Sequence, residues 1–160
     1  MTPIIRFARP DDIDAIRALI ISLLPMMTIH PDGEGAEQFI ESFGVPAMQR
    51  YVSAPNFRYQ LAVLDGELAG VVAVRDNSHL FHLFVAQHLH GRGIGKKLWQ
   101  AAWDDARSLG NPGQFTVNSS MGALEMYKHW GFEPTSEPIR QHGIAYVPMR
   151  LRGPEEGECR

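Results

Sequence analysis

The sequence predicts an α/β fold, a central mixed sheet flanked by helices. Three observations predict it. The apolar period switches from helical to alternating and back along the 160 residues. Asp65-Gly66, a strong two-residue hairpin signal, joins two alternating runs. An apolar run, Leu80–Ala86, then leads through a glycine-rich turn into a helical pattern and another strand, the order of a strand–helix–strand crossover.

The elements follow in order. A first strand is expected at Ile4–Ala8. Pro10–Asp12 opens a helix with Asp11 or Asp12 near its N-cap. Ile13, Ile16, Ile20, Leu23 and Leu24 recur at helical spacing, and Pro25 stops the helix. Met26–Gly35 reads as a loop, and Gly35–Phe43 and Pro46–Ser53 as short helices. Arg58–Leu64 and Glu67–Arg75 form the hairpin, and Leu80–Ala86 is apolar enough for the sheet centre. Gly93–Leu109 is a helix with Ile94, Leu98, Ala102, Ala106 and Leu109 on one face. Gln114–Asn118 is a strand, Met121–Trp130 a helix closed by Gly131, and Phe132–Thr135 and Ile144–Leu151 complete the sheet. One domain is expected over 1–152, with a loose charged tail at 153–160.

Composition narrows the function classes. At 44% hydrophobic and 21% charged residues the chain is ordinary for a globular protein. A net charge of −3 argues against nucleic-acid binding by bulk charge. The longest apolar stretch, Ala18–Met27, is broken by Ser22 and Pro25 and is too short to span a bilayer, so no membrane is expected. The N-terminal residues lack the apolar run of a signal peptide. The single cysteine, Cys159, excludes an internal disulfide and fits a reducing compartment, so a cytoplasmic location is expected.

The segment His90–Lys96, HGRGIGK, follows an apolar strand and opens a helix. A helix N-terminus carries unpaired N–H groups and partial positive charge, and glycines let an anion approach that backbone. Arg92, Lys96 and Lys97 add cations, so the loop reads as a phosphate or diphosphate site. A P-loop would need Gly where His90 stands and Ser or Thr where Lys97 stands. A dinucleotide fingerprint beginning at Gly91 would need Gly or Ala at Lys96. A glycine turn with no ligand is the plain alternative.

Val85-x4-His90-x2-Gly93-x-Gly95 resembles the acetyl-CoA signature of the GNAT N-acetyltransferase superfamily, Q/R-x-x-G-x-G/A, with His90 in place of Gln or Arg. Thr116–Glu133, TVNSSMGALEMYKHWGFE, resembles the second conserved region of that family. Asn118, Ala123, Tyr127, Gly131 and Phe132 stand at the matching positions. The likeness runs from about Ile4 to Leu151 and is strong over Leu83–Phe132.

The resemblance implies a GNAT-like fold and an acetyl-CoA-dependent N-acetyltransferase acting by direct attack in a ternary complex. Its acceptor would be a small-molecule or peptide amine. The backbone of Leu83, Phe84 and Val85 would pair with the pantetheine arm, and an N–H near Val85 would polarise the thioester carbonyl. His90, Gly91, Arg92, Gly93, Ile94, Gly95 and Lys96 would hold the diphosphate. Asn118 would contact the cofactor or position water, and a helix-capping role is compatible. Tyr127 would protonate the thiolate. On spacing alone Tyr127 reads as a core residue beside Leu124 and Trp130.

The general base stays open between His79, His82 and water. Residues three apart on a regular strand face opposite sides, so only one of the two histidines should face the cleft. His79, His82, His88 and His90 also invite a metal reading, which that parity and the lack of cysteine disfavour. The resemblance assigns acceptor choice to Pro25–Ser53 and Thr135–Ala145. There Asp32, Glu34, Glu37 and Glu41 read as amine ligands or as a solvated face, and Met26, Met27, Phe39 and Phe43 as pocket or core. A homodimer and a non-catalytic acyl-CoA-binding role remain open.

Overall fold

A computed structural model describes residues 2–152; the expected tail at 153–160 lies outside the described residues. The strands are β1 (Ile4–Phe7), β2 (Phe57–Leu64), β3 (Glu67–Arg75), β4 (His79–Val85), β5 (Phe115–Ser120), β6 (Glu133–Pro134), β7 (Ile139–Gln141) and β8 (Ile144–Leu151). The helices are α1 (Ile13–Leu23), α2 (Glu37–Glu41), α3 (Val45–Ser53), α4 (Ile94–Ser108) and α5 (Leu124–His129). The sheet runs β1-β2-β3-β4-β5-β8-β6, with β7 paired to β8. Only β4 and β5 run parallel; the other pairings are antiparallel. The mixed α/β fold is therefore the one expected.

The β2–β3 turn is built as its residues dictate. Asp65 and Gly66 both take left-handed φ, 53° and 81°, the geometry that matches the twist of paired strands. Neighbours on β2 point to opposite faces. Arg58 reaches Asp105 of α4 through two hydrogen bonds of 2.6 and 3.1 Å. Phe57 stacks on Tyr51 of α3 at 4.9 Å. So α4 covers one face of the sheet and α3 the other, and α1 packs with α3 against β3 and β4.

The α1 stripe buries Ile13, Ile16, Leu19, Ile20 and Leu23, while Leu24 stands half-buried in a 3-10 turn holding Pro25. On α4, Ile94, Leu98, Ala102 and Ala106 are buried. Leu109 departs from its expected place: it lies past the helix end and is 54% exposed. Gly70 lets α4 approach, since a Cβ there would lie 2.8 Å from Leu98 Cδ1 and 2.9 Å from the Phe84 carbonyl oxygen. Trp99 joins α4 to the distal half of the sheet. Its ring meets Phe115 edge-on at 5.0 Å, stacks on Trp130 at 6.0 Å and touches Phe132 at 5.6 Å.

Three local expectations are corrected. The pattern Met121–Trp130 divides into a 3-10 turn at Met121–Ala123 and a short α5. The strand expected at Phe132–Thr135 narrows to Glu133–Pro134, with Phe132 turned into the core. Strand β7 was not foreseen; three residues carry too little periodicity, and β8 supplies its pairing. Among the described residues no helix is long and apolar enough to cross a membrane.

Candidate active site

The site begins where two strands part. β4 and β5 pair only at His79–Thr116 and Leu80–Val117, although they run seven and six residues. Beyond Leu80 the β5-facing side of β4 has no strand partner, while β3 still pairs Leu83, Phe84 and Val85 from the other side. A cleft of about 570 Å³ opens along this gap. Leu83, Phe84 and Val85 line one wall and Ser120, Gly122, Ala123, Met126 and Trp130 another. Leu23, Met26 and Met27 close it from the end of α1, and the glycine turn forms its far end.

That turn is shaped by two left-handed glycines, Gly91 (φ 83°) and Gly93 (φ 78°). A Cβ at either would meet nothing within 4 Å, so glycine is needed for its conformation and the space beyond stays open. Gly93 is the N-cap of α4 and has no side chain with which to satisfy the first-turn N–H groups. Gly95 and Lys96 follow into the cleft lining. His90 takes an individual role: its Nε2–H donates to the Val85 carbonyl oxygen at 2.8 Å, tying the turn to the end of β4.

Of the residues singled out from sequence, Leu83, Phe84, Val85, His90, Gly91, Gly93, Ile94, Gly95 and Lys96 share this cleft. Arg92 is exposed beside it and is not in its lining. Tyr127 is 5% exposed and packs edge-on against Trp130 and Phe132, while its neighbours Met126 and Trp130 line the cleft. Its hydroxyl has no hydrogen-bond partner among the described residues, and burial holds its pKa above the ordinary tyrosine value. Asn118 is exposed on β5 and caps nothing; the following 3-10 turn has Ser120 as N-cap, without a side-chain bond.

The histidine parity fails, for a physical reason. A bulge sets Leu80 and His82 opposite the consecutive residues Val74 and Ala73, leaving Phe81 as the extra residue. Phe81 and His82 then share a side, and their rings stack at 4.3 Å and 21°. His79, two before Phe81, lies on that side too, so both histidines face the same way. They differ in surroundings. His82 Nδ1 meets the Tyr59 hydroxyl at 3.0 Å, its ring packs between Phe81 and Phe84, and desolvation pushes its pKa down to about 3. His79 Nδ1 meets Thr116 Oγ1 at 2.7 Å. Desolvation, and secondarily Arg75, lower its pKa, so it is neutral at pH 7. No group of three metal-ligating side chains occurs among the described residues.

On the acceptor side, Asp32, Glu34, Glu37 and Glu41 are all exposed, and none lines the cleft. Phe43 is core, with Phe39 packed edge-on to it at 5.8 Å. Met26 and Met27 are the cleft residues of that group. Sequence reasoning missed Leu23, Leu89, Ser120, Gly122 and Met126, which line the cleft only because distant segments converge there.

A parted parallel pair, an apolar cleft along the gap and a glycine-capped helix start make up the candidate site. Residues 27–152 match the family model of the acetyltransferase (GNAT) domain, and the chain belongs to that family of acyl-CoA-dependent N-acetyltransferases. It is 28% identical over 115 residues to an aminoalkylphosphonate N-acetyltransferase of Salmonella typhimurium, covering 66% of this chain and 68% of that one. Its fold is similar to a GCN5-related N-acetyltransferase from Rhodopseudomonas palustris, with TM-score 0.79 and 19% identity over 94% of this chain and 96% of the other. It is also similar to the PaiA N-acetyltransferase of Thermoplasma acidophilum, solved with coenzyme A. There the TM-score is 0.72 at 18% identity, over 95% and 99% of the two chains.

Proposed function

We propose that the chain transfers an acetyl group from acetyl-CoA to the primary amine of a small molecule, with both substrates bound together. The observation that carries this reading is the gap beyond Leu80, where β4 and β5 part over an apolar cleft that ends at the glycine turn. When bound, acetyl-CoA supplies the acyl group already activated as a thioester. The neighbour solved with coenzyme A, and the Salmonella relative named for an aminoalkylphosphonate acceptor, support the cofactor and the small amine.

The chain's own residues divide the work. The α4 N-terminus, Gly91, Gly93, Gly95 and Lys96 offer N–H groups and charge to a diphosphate, with Arg92 as a nearby cation. The free edge at Leu83, Phe84 and Val85 offers main-chain groups to an extended amide arm. An N–H near Val85 withdraws charge from a carbonyl oxygen held there. His79 is half-exposed at the paired end of β4, outside the cleft lining; in the tautomer whose Nδ1–H donates to Thr116 Oγ1, its Nε2 lone pair takes the ammonium proton, directly or through water. His82 is a weaker candidate, since a pKa of about 3 makes it a poor proton acceptor. Tyr127 keeps its proton at all physiological pH, a donor awaiting an anionic sulfur. Asn118 is suited to hold water on the face shared with Thr116. Direct attack needs no cysteine, and Cys159 is far along the chain from every site residue.

The test is thiol release from acetyl-CoA across a panel of primary amines, aminoalkylphosphonates included. Turnover that depends on both concentrations is expected. Binding of acetyl-CoA without turnover on any amine would instead favour a regulatory acyl-CoA-binding role.

A further inference from the structure

The segment after α1 and the turn before β8 meet backbone to backbone. Thr28 forms an antiparallel bridge with Ile144. The Ile29 N–H donates to the Gly143 carbonyl at 2.8 Å. A Cβ on Gly143 would lie 2.5 Å from the Ala36 nitrogen and 2.5 Å from the Gly35 carbonyl carbon. Those are main-chain atoms, so no rotamer change relieves the overlap. Gly35, across the contact, differs. It too is left-handed, with φ +86° against +74° for Gly143, but its Cβ would meet only the Gly143 Cα, at an ordinary 3.9 Å. Any side chain strains the backbone at Gly35; at Gly143 it also drives the two segments apart.

The clamp bears on the site because Met26 and Met27, two walls of the cleft, immediately precede Thr28. Thr28 itself is tied back by its hydroxyl to the Leu24 carbonyl at 3.2 Å and to the His30 carbonyl at 2.5 Å. Displacing Thr28–Ala36 therefore moves the part of the cleft lined by Met26 and Met27. The Leu83–Val85 wall belongs to β4 and the glycine turn to the start of α4, both outside the clamp.

We propose that Gly143 is a positioning residue for the amine. By seating against Gly35 it clamps Thr28–Ala36 onto the β7–β8 turn and so holds the Met26–Met27 wall at the spacing the acceptor needs. The inference rests on the acetyltransferase reading, and its test separates the two.

Gly143→Ala is compared with Gly35→Ala, which carries the same kind of backbone strain without the overlap. Hydrogen exchange reads the clamp with no ligand present: the Ile29 amide should lose protection in Gly143→Ala and keep most of it in Gly35→Ala. With the amine that the wild type acetylates fastest, Gly143→Ala should raise the amine KM by roughly tenfold or more, because a displaced wall no longer positions the substrate. The KM for acetyl-CoA should move less than about twofold. Equal Ile29 protection in the two variants overturns the clamp. Lost protection with an unchanged amine KM, or equal rises in both KM values, overturns the acceptor role. Wild-type protein that acetylates no amine overturns the acetyltransferase reading and the acceptor role with it, while exchange still reads the clamp. Should Gly143→Ala fail to fold, Ile29→Pro, which removes the N–H that donates to the Gly143 carbonyl, must give the same KM split.

Discussion

Gly93 offers the sharpest test of the diphosphate cradle, because Ala and Asp there separate conformation from charge. The residue sits at φ 78°, ψ 9° as the N-cap of α4, and a Cβ would meet nothing within 4 Å. Replacement by Ala therefore costs backbone conformation alone, about 1–2 kcal/mol. For a chain of this length that lowers Tm by several degrees. Asp tolerates left-handed backbone better than most residues, so Gly93→Asp should be no less stable than Gly93→Ala. Binding should part them. A carboxylate placed about 5 Å from a diphosphate repels each unit charge by about 3 kcal/mol at an effective dielectric of about 20. Screening at physiological salt trims this. Coenzyme A should still bind Gly93→Asp about a hundredfold more weakly than Gly93→Ala. Calorimetric titration on both variants, each shown folded by its melting curve, measures the ratio. Affinities within threefold of one another would refute a diphosphate at this helix start.

Other outcomes follow from single contacts. Gly70→Ala puts a methyl 2.8 Å from the fully buried Leu98 and 2.9 Å from the Phe84 carbonyl. It should cost about 1–3 kcal/mol in a urea melt, and a loss below about 0.5 kcal/mol would mean the α4–sheet contact is soft. Tyr127→Phe removes a hydroxyl without a partner among the described residues, so stability should change by less than about 1 kcal/mol. Turnover should fall by about tenfold or more, and a full-rate enzyme at every pH would remove the proton-donor role. His82, held neutral with a pKa near 3 against about 6.5 when unfolded, binds its proton more readily in the unfolded chain. Stability should therefore fall as pH drops from about 6.5 toward 3, by at most about 5 kcal/mol from this residue and less because it keeps some solvent contact. His82→Gln should flatten that slope in pH-dependent denaturation; an unchanged slope assigns the loss to other groups.

Local chemistry in the sequence was enough to determine a good deal. Alternation over Arg58–Leu64 and Glu67–Arg75 with Asp65-Gly66 between them specifies a hairpin, because period and turn conformation are properties of consecutive residues. Glycines before a helical stripe likewise specify a left-handed turn into a helix start, as Gly91 and Gly93 make ahead of Ile94. What the tertiary structure decided depends on partners far along the chain. The side that His82 faces turns on one extra residue against β3, and no count along β4 alone reveals it. Met26 and Met27 read more readily as core than as pocket until the parting of β4 and β5 leaves a cleft beside them. Gly143 looks like one more turn glycine; only the approach of Gly35, 108 residues earlier, makes any side chain there impossible. Periodicity reports which face a residue takes within its element, whereas register and close approach are set between elements, where a single-residue shift changes the neighbour.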